Sequence, residues 1–229
     1  MIFRQLFDKE SSTYTYLVAD PKTKRALLID PVLEQVDRDL RVISELGLEL
    51  AYVLDTHVHA DHVTASGVLR ERTGATTVGS PLGADCVDKK VKHGDVIELG
   101  EVRVEVLETP GHTDDSLSYR VGDNVFTGDA LLIRGTGRTD FQNGDPKTLW
   151  HSLTKVLFAL PDETRVWPGH DYKGMTMSTI HEEKLLNPRV AGKNETTFID
   201  LMQNLGLPNP KKIDVAVPAN RACGQSTLN

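Results

Sequence analysis

Asp55-Thr56-His57-Val58-His59-Ala60-Asp61-His62 places three histidines and two aspartates within eight residues. The run before it, Leu50-Ala51-Tyr52-Val53-Leu54, is apolar and partly β-favouring, which predicts a buried strand. Residues 63–72 fit a helix, with Val63, Val68 and Leu69 available for a buried face. The histidines therefore fall on a strand-to-helix loop, where side chains converge while the flanking elements stay rigid. Imidazole and carboxylate are ligands of first-row metals, so a packed set of both points to a metal ion. A solvated loop that happens to be His-rich would look the same in isolation. What sets this one apart is that most of the other ligand-type residues occupy equally loop-like places.

Those places are Pro110-Gly111-His112-Thr113, Thr127-Gly128-Asp129 and Pro168-Gly169-His170-Asp171. Each follows a β-type run, at residues 102–107, 124–126 and 165–167. Each carries glycine just before the ligand candidate, which lets the backbone turn sharply and approach an ion closely. Four strand ends thus present His57, His59, Asp61, His62, His112, Asp129 and His170.

The 229 residues suffice for one domain, with residues 170–229 as a C-terminal helical and tail extension that covers the site. Apolar (39%) and charged (26%) contents are those of a soluble globular chain. A net charge of −7 without a basic run argues against a nucleic-acid partner, which would need phosphates neutralised. No stretch approaches the roughly 20 apolar residues of a membrane span. The first residues, Met1-Ile2-Phe3-Arg4-Gln5-Leu6-Phe7-Asp8, lack the layout of a signal or transit peptide, so a cytoplasmic location is expected. Cys86 and Cys223 form no C-x-x-C. They are expected as small residues in or near the core, in a reducing compartment.

Along the chain, residues 2–7, 13–18 and 26–29 read as strands, and residues 33–46 as a helix ended by Gly47. Short strands and turns follow over residues 76–125, including a strict alternation at 102–106 that leaves one face wet. Residues 146–160 read as a helix with Asp145 as N-cap and Pro146 at its first position. Further helices are expected at 177–186 and 195–205, and little periodicity in 207–229. His93 and His151 read as surface residues, and His181 as structural. By itself the pattern says only mixed α and β.

The H-x-H-x-D-H set, together with His112, Asp129 and His170, resembles the metallo-β-lactamase superfamily over most of the first 170 residues. The resemblance implies an α+β fold, a four-layer αββα sandwich with the ligand loops on one edge. Two families within it share THxHxDH, GHT, GD and PGH with this chain. Glyoxalase II enzymes hydrolyse S-acylglutathione at a two-metal site. Persulfide dioxygenases, also called sulfur dioxygenases, oxidise glutathione persulfide with O2 at one iron. Gly137-Arg138-Thr139-Asp140-Phe141-Gln142 resembles the second family. So do the segments around Tyr172, Glu182-Glu183-Lys184, Asn187-Pro188-Arg189 and Val217-Pro218-Ala219-Asn220, which carries the likeness nearly to the C-terminus. The chain departs from that family at Thr136, where cysteine is frequent, and at Asp115-Ser116, where Gly-Cys is usual.

What the resemblance implies is specific. His57, His112 and Asp129 hold one Fe(II) per chain as a 2-His-1-carboxylate triad, leaving positions for substrate and O2. These three are the expected catalytic residues. His59, Asp61, His62 and His170 surround them as remains of a second metal site, fixing tautomers and ligand basicity. Glutathione brings two carboxylates, so Arg138 and Tyr172, and further along the chain Arg189 and Asn220, are the substrate-binding candidates. The products are sulfite and glutathione, and a homodimer is the family-based expectation. The rival reading makes all seven residues ligands of two metals bridged by Asp129, activating hydroxide against a thioester. A non-catalytic thiol or metal binder on the same fold would leave seven filled ligand positions without a use.

Overall fold

Seven residues with Tyr, Thr and Val prominent give β2 (Thr13–Ala19) two packed faces, and every residue of it is buried. The computed structural model describes residues 1–208 and 212–224. In it β2 belongs to a sheet made with β1 (Ile2–Asp8), β3 (Arg25–Ile29), β4 (Glu49–Leu54), β5 (Thr76–Gly79) and β6 (Lys89–Lys90), in the order β1-β2-β3-β4-β5-β6. The β1-β2-β3 part is antiparallel, and the β3-β4-β5-β6 part is parallel. Parallel neighbours need crossovers. These are α1 (Val36–Glu45), after a 3-10 turn at Leu33–Gln35, and α2 (Ser66–Thr73).

The second sheet holds β7 (Val96–Leu99), β8 (Val102–Glu108), β9 (Leu117–Val121), β10 (Asn124–Gly128), β11 (Arg165–Pro168) and β12 (Ser178–Thr179). Its order is β12-β11-β10-β9-β8-β7, antiparallel except for β10 and β11. The crossover between those two contains α3 (Pro146–His151), and α4 (Ile180–Leu186), α5 (Glu195–Gln203) and α6 (Ile213–Arg221) close the chain.

The period of two on β2 sends Tyr14, Tyr16 and Val18 between the sheets, where they meet Ile97, Val104, Val106, Tyr119 and Phe126. Leu17 points the other way and, with Leu28 and Val53, meets Ile43 of α1 and Leu69 of α2. On the far side Val125 and Val166 meet Leu149, Leu153 and Phe198. Three cores separate four layers, the αββα sandwich that the resemblance implies. Each of these fully buried large side chains contributes about 1.5–3 kcal/mol relative to exposure.

The structure differs from the pattern in four places. α2 starts at Ser66 rather than at 63, because Thr64 bridges to Val32 and the hydroxyls of Thr64 and Ser66 donate to Asp55 at 2.8 and 2.6 Å. Residues 177–179 are not helical, since Ser178 and Thr179 pair with β11 and the Thr179 side chain accepts from Glu182 N as the cap of α4. The predicted irregular tail contains α6, with Pro218 inside it. The rest of that tail expectation, at 209–211 and 225–229, falls outside the described residues.

Cys86 and Cys223, expected apart, form a disulfide across a separation of 137 residues. Cys86 lies between β5 and β6, and Cys223 follows α6. The helix of residues 146–160 is α3 continued by a π-helical segment, Ser152–Leu157, which keeps Leu149, Leu153 and Leu157 buried on the second sheet. Among the described residues, no helix is long and apolar enough to cross a membrane.

Candidate metal centre

The four ligand loops meet because of strand direction. β10 and β11 run parallel, so their C-terminal loops leave side by side and bring Asp129 against His170. β4 delivers His57 from the first sheet, and the rings of His57 and His112 lie 5.0 Å apart. Two glycines permit the approach. Gly111 has φ +129°, and a Cβ there would lie 2.3 Å from Leu149 N at the start of α3. Gly128 has φ +49°, and a Cβ would lie 2.5 Å from Thr56 Oγ1. Neither position accepts a side chain without moving a neighbouring loop.

Hydrogen bonds fix which nitrogens are bare. Thr56 Oγ1 donates its proton to Asp30 Oδ2 at 2.8 Å, so it accepts from His57 Nδ1 at 2.9 Å. His112 Nδ1 donates to the Arg138 carbonyl at 2.7 Å, since a carbonyl can only accept. Both rings therefore turn an unprotonated Nε2 outward, and His112 Nε2 lies 3.7 Å from Asp129 Oδ2. One ligand atom from each of His57, His112 and Asp129 lies within 4.8 Å of the other two. Two imidazole lone pairs and one carboxylate oxygen converging in this way fit a first-row divalent metal.

His170 has a different occupation. Its Nδ1 donates to Asp129 Oδ1 at 2.6 Å and its Nε2 to Asp61 Oδ2 at 2.8 Å. Burial pulls its pKa down, but the two carboxylates push harder and hold it well above the ordinary histidine value. In this arrangement both ring nitrogens face carboxylates. Burial raises the Asp129 carboxyl, and the charge and hydrogen bond of His170 outweigh it, holding Asp129 well below the carboxylate range.

His59, Asp61 and His62 form a second group within 4.8 Å. His59 Nε2 donates to Asp30 Oδ1 at 3.2 Å and His62 Nδ1 to Asp61 Oδ2 at 2.9 Å. Their other nitrogens, His59 Nδ1 and His62 Nε2, are buried without a partner among the described residues. Burial, then the neighbouring His62, push the His59 pKa down to about 3.

Beside the triad opens a cavity of about 460 Å³, the size of a small-molecule site. Its walls include the 132–138 loop, Tyr172, Arg189, Leu207 and Pro208. Tyr172 is 71% exposed, its ring parallel to that of His170 at 6.1 Å between centroids. Arg138 lines the cavity, but its fork is already filled. Nε and Nη2 grip Asp140 at 2.6 and 2.7 Å, and Nη1 donates to the Pro208 carbonyl at 2.6 Å. In this arrangement it holds the Leu207 and Pro208 wall while lining the cavity where the sequence placed it.

Among the described residues the Arg189 guanidinium donates to the Thr136 carbonyl at 2.6 Å, to Thr136 Oγ1 at 3.1 Å and, more distantly, to the Gly137 carbonyl. Among the described residues no carboxylate pairs with Arg189, and burial lowers its pKa. Asn220 is a correction. It is buried away from this cavity, accepting from Thr64 N at 2.8 Å and donating to the His59 and His62 carbonyls at 2.9 and 2.8 Å. It laces α6 to the metal loop.

Sequence reasoning missed Asp30 and underrated Glu183. Asp30 ends β3, takes φ +51°, and accepts from Thr56 N, Thr56 Oγ1 and His59 Nε2. The available signal was an acid at the end of a strand beside the metal strand, just before a proline. Glu183 is buried and accepts from Arg134 N, Arg134 Nη1, Ser178 and Asn187, which fixes the 132–137 wall.

A sequence profile described as the metallo-beta-lactamase superfamily matches residues 8–85 and 87–170. Mitochondrial persulfide dioxygenase ETHE1 of Mus musculus is 48% identical over 230 residues, covering 99% of this chain and 90% of that protein. The crystal structure of ETHE1 from Myxococcus xanthus matches with a TM-score of 0.98 at 67% identity, covering 98% of this chain and 100% of that one. A hydroxyacylglutathione hydrolase of Methylobacterium sp. (strain 4-46) is 38% identical over 161 residues, 68% of this chain and 61% of that protein.

Proposed function

The chain belongs to the metallo-beta-lactamase superfamily, and from that premise we infer that it is a persulfide dioxygenase, an oxidoreductase that uses O2. The observation that carries this reading is the likeness along 99% of the chain to a protein of that name. The likeness to a hydroxyacylglutathione hydrolase is shorter and weaker. We further propose that the metal is one Fe(II), held by His57 Nε2, His112 Nε2 and Asp129 Oδ2, and that the substrate is glutathione persulfide. What supports one metal over two is the likeness to a persulfide dioxygenase, for which the resemblance implies a single iron at His57, His112 and Asp129.

Bound there, ferrous iron would supply the one-electron chemistry by which triplet O2 reacts with spin-paired sulfur. The protein's own part is placement. His170 holds Asp129 Oδ1, leaving Oδ2 free for the metal. Leu132, Ile133 and Leu207 give the cavity an apolar wall against which the persulfide chain would pack. Arg189, which pairs with no carboxylate among the described residues, would offer a cation to a glutathione carboxylate. One O2 and one water supply the three oxygens of sulfite, glutathione leaves as the thiol, and two protons are released.

A cytoplasmic location belongs to the same proposal, carried from the first residues of the sequence; the Cys86–Cys223 disulfide is unusual for a compartment that keeps thiols reduced. A homodimer is carried over from the resemblance, and light scattering reads it. The decisive experiment measures oxygen uptake, sulfite and bound metal together, with glutathione persulfide as substrate. We expect uptake matched by sulfite, and one iron per chain. Two zincs per chain with hydrolysis of S-acylglutathione and no oxygen uptake would overturn the reading.

Arg189→Gln should raise KM for glutathione persulfide about 10-fold, the loss of one charge-assisted contact, with kcat and iron content little changed. An unchanged KM would remove Arg189 from the substrate site.

A further inference from the structure

We propose that the Cys86–Cys223 disulfide is a thiol-exchange site, and that its opening by a small-molecule thiol loosens α6 from the metal loop. Among the described residues α6 has few other fastenings, chiefly the ion pairs of Lys212, its N-cap, with Glu10 at 3.2 Å and Glu34 at 3.9 Å. Its buried residues are Ala216 and Asn220, an alanine and an amide, so it contributes little apolar area to any core. Val215 on the same helix is exposed. What attaches its C-terminal end is the disulfide, the bond from Gly67 N to the Cys223 carbonyl at 2.8 Å, and the three hydrogen bonds of Asn220. Cys223 sits in the left-handed region at φ +57°, unfavourable for a residue with a side chain, so the surrounding attachments hold it there.

The two sulfurs differ in access. Cys223 is 1% exposed, whereas Cys86 is part-exposed on a surface loop between exposed Asp85 and Asp88. A thiolate therefore reaches Cys86 Sγ. The bond from its sulfur to Cys86 forms as the Cys86–Cys223 bond breaks, and Cys223 leaves as a thiolate that takes a proton from water. A second thiol attacks the outer sulfur of the mixed disulfide, releasing the oxidised dimer of the small thiol and freeing Cys86. Two thiols are oxidised and one disulfide is reduced. The source of the thiol rests on the proposed function, whose organic product is glutathione; the exchange chemistry does not.

Released at Cys223, α6 lets Asn220 withdraw from the His59 and His62 carbonyls and from Thr64 N. The loop that carries His57 then loses its outer support. Loss of such support around a ligand typically weakens metal binding about 10-fold or more.

The test uses the metal-loaded, oxidised full-length protein with glutathione as the probe. Intact-mass analysis should show a glutathione adduct that maps to Cys86, and thiol counting should show Cys223 appearing with it. Metal release to an excess of chelator should then quicken about 10-fold. Cys86→Ser should release metal at the faster rate from the outset and be indifferent to glutathione, which also controls for chelation by the thiol itself. If that variant does not fold, the wild-type protein before and after reduction decides alone. The proposal is overturned if no adduct or new thiol forms, or if oxidised and reduced wild type release metal at the same rate. Neither readout requires turnover, so failure of the dioxygenase assay and failure here are distinguishable.

Discussion

His112→Ala is expected to leave the triad without metal and to end oxygen uptake. The site has three ligands, and the loss cannot be made good locally. Of the nearby imidazoles, His170 faces carboxylates through both nitrogens, and His59 and His62, whose Nδ1 and Nε2 are bare, converge with Asp61 on a separate group rather than on the triad. His170→Asn should behave differently. It removes the bridge between Asp129 and Asp61 but none of the three ligands of the proposed triad. We expect iron largely retained and activity lowered roughly 10–100-fold, the usual cost of removing a partner that orients a ligand. The two variants and wild type are compared by oxygen electrode, with iron measured on the same samples. Equal metal loss in both variants would mean that His170 is itself a ligand, and would return the two-metal hydrolase reading.

Gly111→Ala should be among the most damaging single substitutions in the chain. Its φ of +129° strains any residue with a side chain, and the new methyl would sit 2.3–2.5 Å from the backbone and Cβ of Leu149. Either α3 or the His112 loop must move, and both belong to tightly packed surroundings. Backbone strain and overpacking together amount to roughly 3 kcal/mol. For a chain of this size that lowers Tm by roughly 6–12 °C. Calorimetry of the variant measures the shift, and metal analysis shows whether His112 still reaches the site. A Tm within about 2 °C of wild type would show that the loop adapts without strain.

Much of the centre was legible because its parts are local. A strand, a glycine and a ligand recur at His112, Asp129 and His170, and each reads from a few neighbouring residues. Individual strands and helices such as β2, α1 and the 102–106 alternation read from their periods, while the four-layer arrangement came from the resemblance, since the pattern by itself says only mixed α and β. What escaped reading was long-range. Nothing near Cys86 announces Cys223, because a pairing across 137 residues leaves no local pattern. α6 hides behind Pro218, which normally argues against a helix interior. Arg138 looked free because its partners, Asp140 and the Pro208 carbonyl, are ordinary residues whose geometry only the fold reveals. The choice of three ligands among seven candidates came from the resemblance, since residue type does not distinguish His170 from His112.

The proposed triad draws His57 from the first sheet and His112 and Asp129 from the second, so neither half of the sandwich holds all three of its ligands. A nascent chain that has made only its first sheet holds one ligand, and a detached second sheet holds two. An ion held by all three residues would bind only once the halves have docked, so the topology would form without it. An interaction formed that late is missing from the folding transition state. Its effect falls on the escape rate: the bound ion lengthens the lifetime of the native molecule while leaving the speed of its formation to the chain.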